Sequence, residues 1–151
     1  MRYKILIVDD EAANLRALER LFREDYEVHT AESGAEAVEL LRQQDVAVLM
    51  TDQRMPEMTG TELLMNTISL RPRMVRIILT GYTDVDALVV AINGGQVYKY
   101  IQKPWNNEEL KLTVARALEH YEANKESYEL ALANERLVLR MKQIQQLAAR
   151  E

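Results

Sequence analysis

Apolar residues fall in short blocks along this chain, and the spacing within the blocks alternates between two periods. Residues 4–8 (KILIV) form a nearly unbroken apolar run that stops at Asp9 and Asp10, the pattern of a strand buried on both faces. Leu15, Leu18, Leu21 and Phe22 then recur at helical spacing and predict a helix over 12–23. Residues 26–31 alternate like a strand. Ser33 with Glu36 makes a capping box before Ala37, Leu40 and Leu41, which opens a second helix. A second apolar strand, 46–51 (VAVLMT), is again stopped by an aspartate, Asp52. Thr59 and Glu62 form another capping box ahead of Leu63, Leu64 and Ile68, and 75–80 (VRIILT) reads as a strand. Thr83 and Asp86 open a helix through Ile92, which Gly94 and Gly95 end. Residues 97–101 predict the fifth strand. Lys103-Pro104 then breaks the chain, and Asn106 with Glu109 starts the last helix.

Five strands alternating with five helices predict an α/β fold, a doubly wound (βα)5 domain with a parallel sheet and right-handed crossovers. The last helix is too long for such a domain. No proline or glycine interrupts residues 108–151, and 44 residues of helix would extend about 66 Å. Leu110, Val114, Ala117, Leu118 and Tyr121 can pack on the sheet, which predicts a domain over 1–121 and a helical extension over 122–151. Beyond Tyr128, Leu130, Leu137 and Ile144 recur every seven residues, with Asn134, Met141 and Ala148 in the second register. That is the seam of a two-stranded coiled coil, with a polar Asn134 to set register, so a homodimer through 122–151 is expected. A linker, or an interaction helix for another protein, is the alternative.

Composition narrows the chemistry. The chain has no cysteine, which removes disulfides, thiolate catalysis and zinc-thiolate sites. Its two histidines, His29 and His120, are too few and too far apart in sequence for a histidine metal cage. The net charge of −5 argues against a broad electrostatic footprint for nucleic acid. Residues 1–121 hold 14 basic and 19 acidic side chains, whereas 122–151 hold five of each, so the acidity belongs to the domain. No apolar run approaches the roughly 18 residues of a membrane span, and the start, MRYKILIVDDE, lacks a signal peptide's features. A cytoplasmic protein without membrane partners is expected.

Open parallel sheets bind ligands beyond the carboxyl ends of their strands. Reading off those ends gives Asp9, Asp10, Asp52, Thr80 and Lys103. Crowded carboxylates repel and need a cation to stay ionised. An all-oxygen set suits a hard ion, most simply Mg²⁺. The lysine and the hydroxyl suit phosphoryl oxygens, which leaves one carboxylate to act as nucleophile.

This set resembles the receiver domain of bacterial two-component response regulators. The likeness extends to Met55-Pro56 and Gly60 behind Asp52, to Gly81 after Thr80, and to Tyr100 before Lys103-Pro104, and it covers roughly residues 3–121. The resemblance implies a flavodoxin-like strand order of 2-1-3-4-5. It implies that Asp52 is the phosphoacceptor, charged by a histidine kinase or phosphotransfer protein, and that Asp10, Asp52 and the backbone carbonyl of Arg54 ligate Mg²⁺, with Asp9 acting through water. Lys103 would pair with the phosphoryl oxygens, Thr80 would move to donate to them, and Tyr100 would turn into the vacated space. These shifts would bias a face made of the fourth strand, the helix after it, and the fifth strand. Arg54 and Tyr82 are large at positions that tune dephosphorylation, so slow self-hydrolysis is expected.

Each residue also has a plainer reading: Asp9 or Asp10 as a helix cap, Asp52 and Thr80 as strand-end residues, Lys103 as a surface lysine, Tyr100 as ordinary packing. A stand-alone Mg²⁺-dependent phosphohydrolase is a further alternative, but such enzymes commonly carry an acid two residues after the nucleophile, where this chain has Arg54. An unphosphorylated docking module is the third, at odds with an intact acidic set. The chain itself is therefore expected to be a signalling phosphoacceptor, promoting its own phosphorylation and dephosphorylation, and not an output enzyme. Residues 94–105 (GGQVYKYIQKPW) are similar to receivers coupled to cyclic-nucleotide signalling enzymes. No basic recognition helix follows, so direct nucleic-acid binding by this chain is not expected. The seam still runs at Glu151, as expected of a link to an absent output domain.

Overall fold

A computed structural model describes residues 2–81, 89, 94 and 97–150. Its elements are β1 (Lys4–Val8), α1 (Ala12–Phe22), β2 (Glu27–Ala31), α2 (Gly34–Gln43), β3 (Val48–Asp52), α3 (Gly60–Thr67), β4 (Val75–Thr80), β5 (Lys99–Gln102) and α4 (Asn107–Ala149). Apart from Val89, the helix expected over 83–92 lies outside the described residues, as do Tyr82 and Gly95. All strands are parallel in one sheet, ordered β2-β1-β3-β4-β5.

The central strands are apolar throughout because both faces are covered. Their period of two sends Ile5, Ile7, Met50, Ile77 and Leu79 to one core, shared with Leu15, Leu18 and Phe22 of α1 and Leu110, Val114 and Ala117 of α4. Leu6, Val8, Leu49 and Ile78 meet Ala37, Leu41, Leu63 and Leu64 of α2 and α3 on the other face. At about 25 cal/mol per Å² of apolar surface removed from water, these two layers dominate the stability of the domain.

Local sequence sets the helix starts. Thr59 and Glu62 make both bonds of a capping box at α3. Asn106 Oδ1 accepts the Glu109 N–H at α4. At α2 only half of the expected box forms: Ser33 Oγ accepts from the Glu36 N–H, but the Glu36 carboxylate takes the N–H of Glu32 instead of that of Ser33.

Three strands are shifted from the positions that the hydrophobic pattern predicts, β2 only by starting one residue later, at Glu27. β3 begins at Val48 and includes Asp52, because Val46 and Ala47 bury their side chains before the ladder with β1 begins at Ile5. β5 begins at Lys99, which pairs with Ile77. Val97 is buried against the second core without joining the ladder.

Arg76 is a buried cation in an apolar strand, and the hydrophobic pattern does not single it out. Its guanidinium donates to the carbonyls of Met74, Thr67 and Arg71 and to Thr67 Oγ1. It thereby satisfies carbonyls at the C-terminal end of α3 and just beyond it, and burial pulls its pKa down to about 10.

Packing divides the chain into Met1–Tyr121 and Glu122–Glu151. In the first unit, Leu110, Val114, Ala117, Leu118 and Tyr121 are buried. In the second, Leu130, Leu137, Met141 and Ile144 are exposed by 59–63%. Among the described residues, no helix is long and apolar enough to cross a membrane.

Candidate functional site

The register of the sheet brings the site together. Val8 is level with Thr51, Asp52 with Leu79, and Thr80 with Gln102, so Asp9, Asp52, Thr80 and Lys103 stand along one rim. The Lys103 N–H donates to the Thr80 carbonyl at 2.8 Å and anchors the end of β5. One carboxylate oxygen from each of Asp9, Asp10 and Asp52 lies within 4.8 Å of the others. Lys103 Nζ sits among them, 3.1 Å from Asp52 Oδ1 and 3.5 Å from Asp9 Oδ2. Asp9 and Asp52 are buried and Asp10 is exposed.

Asp9 has local work as well. Its Oδ1 accepts the Glu11 N–H at 2.9 Å and its Oδ2 accepts from Asn14 Nδ2 at 3.1 Å, which shapes the turn into α1. The helix-cap reading of Asp9 is thus partly realised beside its place in the cluster. Thr80 is buried on the rim with its hydroxyl donating to the Gly81 carbonyl at 3.1 Å. Tyr100 is 45% exposed and lines a groove of about 840 Å³ with Tyr98, Ile101 and Leu112, outside the carboxylate cluster. Arg54 follows in the β3–α3 loop and is exposed.

Two contributors behind Asp52 show their work in three dimensions: Gly60, already part of the resemblance, and Gln53, which the sequence pattern does not single out. Gly60, the first residue of α3, packs so closely that a Cβ there would meet the Asp52 carbonyl oxygen at 2.5 Å. Gln53 is buried and hydrogen-bonded to Thr61. The capping box at Thr59 was the available signal, since it leaves the N–H groups of Gly60 and Thr61 in need of acceptors.

The ion pair is unequal. Burial pushes the Asp52 carboxyl above its usual value, against the hydrogen bond and charge of Lys103, and the charges of Asp9 and Asp10 push the same way. Burial works to lower the Lys103 ammonium, but Asp52 and Asp9 outweigh it and hold the ammonium above its usual value. The site therefore holds one firmly protonated lysine and still lacks positive charge. Asp9, Asp10 and Asp52 offer hard oxygen donors at a spacing that fits a small divalent cation.

These shifts set the pH dependence. A carboxyl raised above its ordinary pKa takes up its proton first in the folded chain, so ionised Asp52 weakens the fold at neutral pH. That cost fades as pH falls through the raised value and then the ordinary carboxylate range. In metal-free buffer, Asp52→Asn is expected to be more stable than the unsubstituted chain at pH 7, with the gap closing on acidification. Urea unfolding across that range measures it; a less stable variant at pH 7, or a gap that widens in acid, contradicts it.

Comparison with known proteins agrees with this geometry. The hydrogenase transcriptional regulatory protein HoxA of Cupriavidus necator is 38% identical over 147 residues, covering 96% of this chain and 30% of that protein. The chain thus spans about a third of the length of that relative, and 25% of its counterpart from Bradyrhizobium diazoefficiens. The solved structure titled adenylate cyclase from Rhodopirellula baltica superimposes with a TM-score of 0.83 at 34% identity, covering 86% of this chain and 97% of that one. The signal receiver domain of an HD domain-containing protein from Pseudomonas fluorescens gives 0.78 at 35% identity, covering 83% and 93%. The family model described as the response regulator receiver domain matches residues 5–115. This chain belongs to the response regulator receiver family of two-component signalling.

Proposed function

We propose that Asp52 is the phosphoacceptor of this receiver and that the chain passes its phosphorylation state to an output through the helical extension. The observation that carries the reading is the single ammonium of Lys103 set among clustered carboxylates, with Asp52 at the end of its strand. An Asp52 oxygen attacks the phosphorus of a histidine kinase's phosphohistidine. The P–N bond breaks, its electron pair stays on the imidazole nitrogen, and an aspartyl phosphate remains. Lys103 neutralises the phosphoryl oxygens.

Mg²⁺ would be held by Asp10, Asp52 and the Arg54 carbonyl, with Asp9 through water; when bound, it supplies the positive charge that keeps the carboxylates ionised. The Thr80 hydroxyl exchanges the Gly81 carbonyl for a phosphoryl oxygen, and Tyr100 leaves its half-exposed position for the space behind it. Phosphorylation adds roughly −1.5 to −2 of charge and new acceptors, enough to bias such a two-state arrangement.

The extension over 122–151 is read as a linker that pairs with a second copy. Leu130, Leu137 and Ile144 with Asn134, Met141 and Ala148 form its seam, about three heptads long. The exposure of its leucines in the single chain supports pairing. Its balanced charge offers no surplus for phosphates of nucleic acid. Two of the solved relatives are titled an adenylate cyclase and an HD domain-containing protein, and the first curated relatives are transcriptional regulators. The output lies outside residues 1–121 in this reading.

Incubation with acetyl phosphate and Mg²⁺, followed by a phosphate-affinity gel, is expected to retard the unsubstituted chain and leave Asp52→Asn unshifted. No retardation, or equal retardation of both, refutes Asp52 as acceptor. For the extension, light scattering is expected to give a dimer mass for the full chain and a monomer mass for a 1–121 truncation; monomer masses for both argue against pairing.

A further inference from the structure

Gln53 follows Asp52 directly and is only 5% exposed. Its Oε1 accepts the Thr61 N–H at 2.9 Å, and its Nε2 donates to Thr61 Oγ1 at 3.2 Å. Its backbone carbonyl accepts the Gly60 N–H at 2.9 Å, and its own N–H donates to the Leu79 carbonyl at 3.1 Å. A helix start leaves its first N–H groups without partners inside the helix. At α3 those of Gly60 and Thr61 are both taken by Gln53, and that of Glu62 by Thr59 Oγ1. One residue thus ties β4 to the end of β3 and the start of α3, and it fixes both ends of the loop 54–59. That loop contains Glu57 at φ 69°, a left-handed conformation that costs energy for a residue other than glycine and persists only where the surroundings hold it.

We infer that Gln53 is a positioning residue, whose amide bracket holds the 54–59 loop so that the Arg54 carbonyl and the Asp52 carboxylate serve one cation together. The inference rests on the proposed magnesium site. Gln53 touches neither cation nor phosphoryl group; it acts through the geometry of its neighbours on either side. Residues that orient metal ligands in this way commonly contribute tenfold or more to metal affinity.

The test is an amide NMR titration of the full chain with Mg²⁺ alone, with urea unfolding measured in parallel. Gln53→Met keeps length and burial but removes both side-chain bonds, and Mg²⁺ affinity is expected to fall about tenfold. Thr61→Ala removes the hydroxyl end of the bracket, together with that hydroxyl's contact to Thr59 Oγ1, and keeps the bond from the Thr61 N–H to Gln53 Oε1; a loss of roughly threefold is expected, and this variant decides the matter if Gln53→Met does not fold. Leu21→Ala, on the core side of α1, lowers stability without touching the loop and is expected to bind Mg²⁺ as the unsubstituted chain does. Unchanged affinity in a folded Gln53→Met, or in Thr61→Ala where that variant decides, overturns the inference and leaves the magnesium site standing. An equal loss in Leu21→Ala does the same, since it assigns the effect to stability. No Mg²⁺-dependent shift at Asp10, Asp52 or Arg54 in the unsubstituted chain removes the magnesium site, and the role of Gln53 with it.

Discussion

Carboxylates crowded at the ends of parallel strands repel one another, and most of this domain can be read as the scaffold that keeps them there. Asp9 and Asp52 are buried, and Asp10 shares their cluster. Lys103 offsets part of the repulsion by lying within ion-pair distance of two of them. The offset is incomplete, because Asp52 remains harder to ionise than an ordinary carboxylate. A site with this imbalance has a use for a divalent cation. Packing energy from two apolar layers supports the arrangement, and register places it: a slip by one residue in β3 would turn Asp52 from the rim.

The elements around Asp52 are tied at both ends. Gly60 lets α3 approach the strand end, and Gln53 satisfies the first donors of that helix. From β4, Arg76 satisfies carbonyls at the C-terminal end of the same helix and just beyond it. β4 carries Thr80 at its own end, and Thr80 shares a backbone bond with Lys103. In the proposed reading, a change at Asp52 therefore reaches β4 and β5 through short, hydrogen-bonded connections, with Tyr100 standing half-exposed on β5.

Much of this was legible in the amino-acid pattern. β1 and β4 coincide with their apolar runs, since a strand covered on both faces has no polar position to blur its limits. The Asp9, Asp10, Asp52 and Lys103 cluster follows from one rule about parallel strand ends, and the four residues do converge. The edges were less legible. β5 is largely exposed, and its first apolar residue, Val97, serves the core without entering the ladder. For Gln53 the capping box at Thr59 marked only that acceptors were needed, and Arg76 left no mark, because a buried polar side chain is defined by the partners that the fold brings to it. For Arg76 these partners are carbonyls, which every residue possesses. The roles given by resemblance to Thr80 and Tyr100 concern a second, phosphorylated state of the domain.

The phosphorylated arrangement can be captured with trifluoroberyllate, a mimic of the phosphoryl group, bound with Mg²⁺ for crystallography. The expected structure has beryllium on an Asp52 oxygen, Lys103 Nζ and the Thr80 hydroxyl on its fluorines, and Tyr100 turned inward from β5. Beryllium held by another residue, or a Thr80 hydroxyl still on the Gly81 carbonyl beside an occupied Asp52, would contradict this reading of the site.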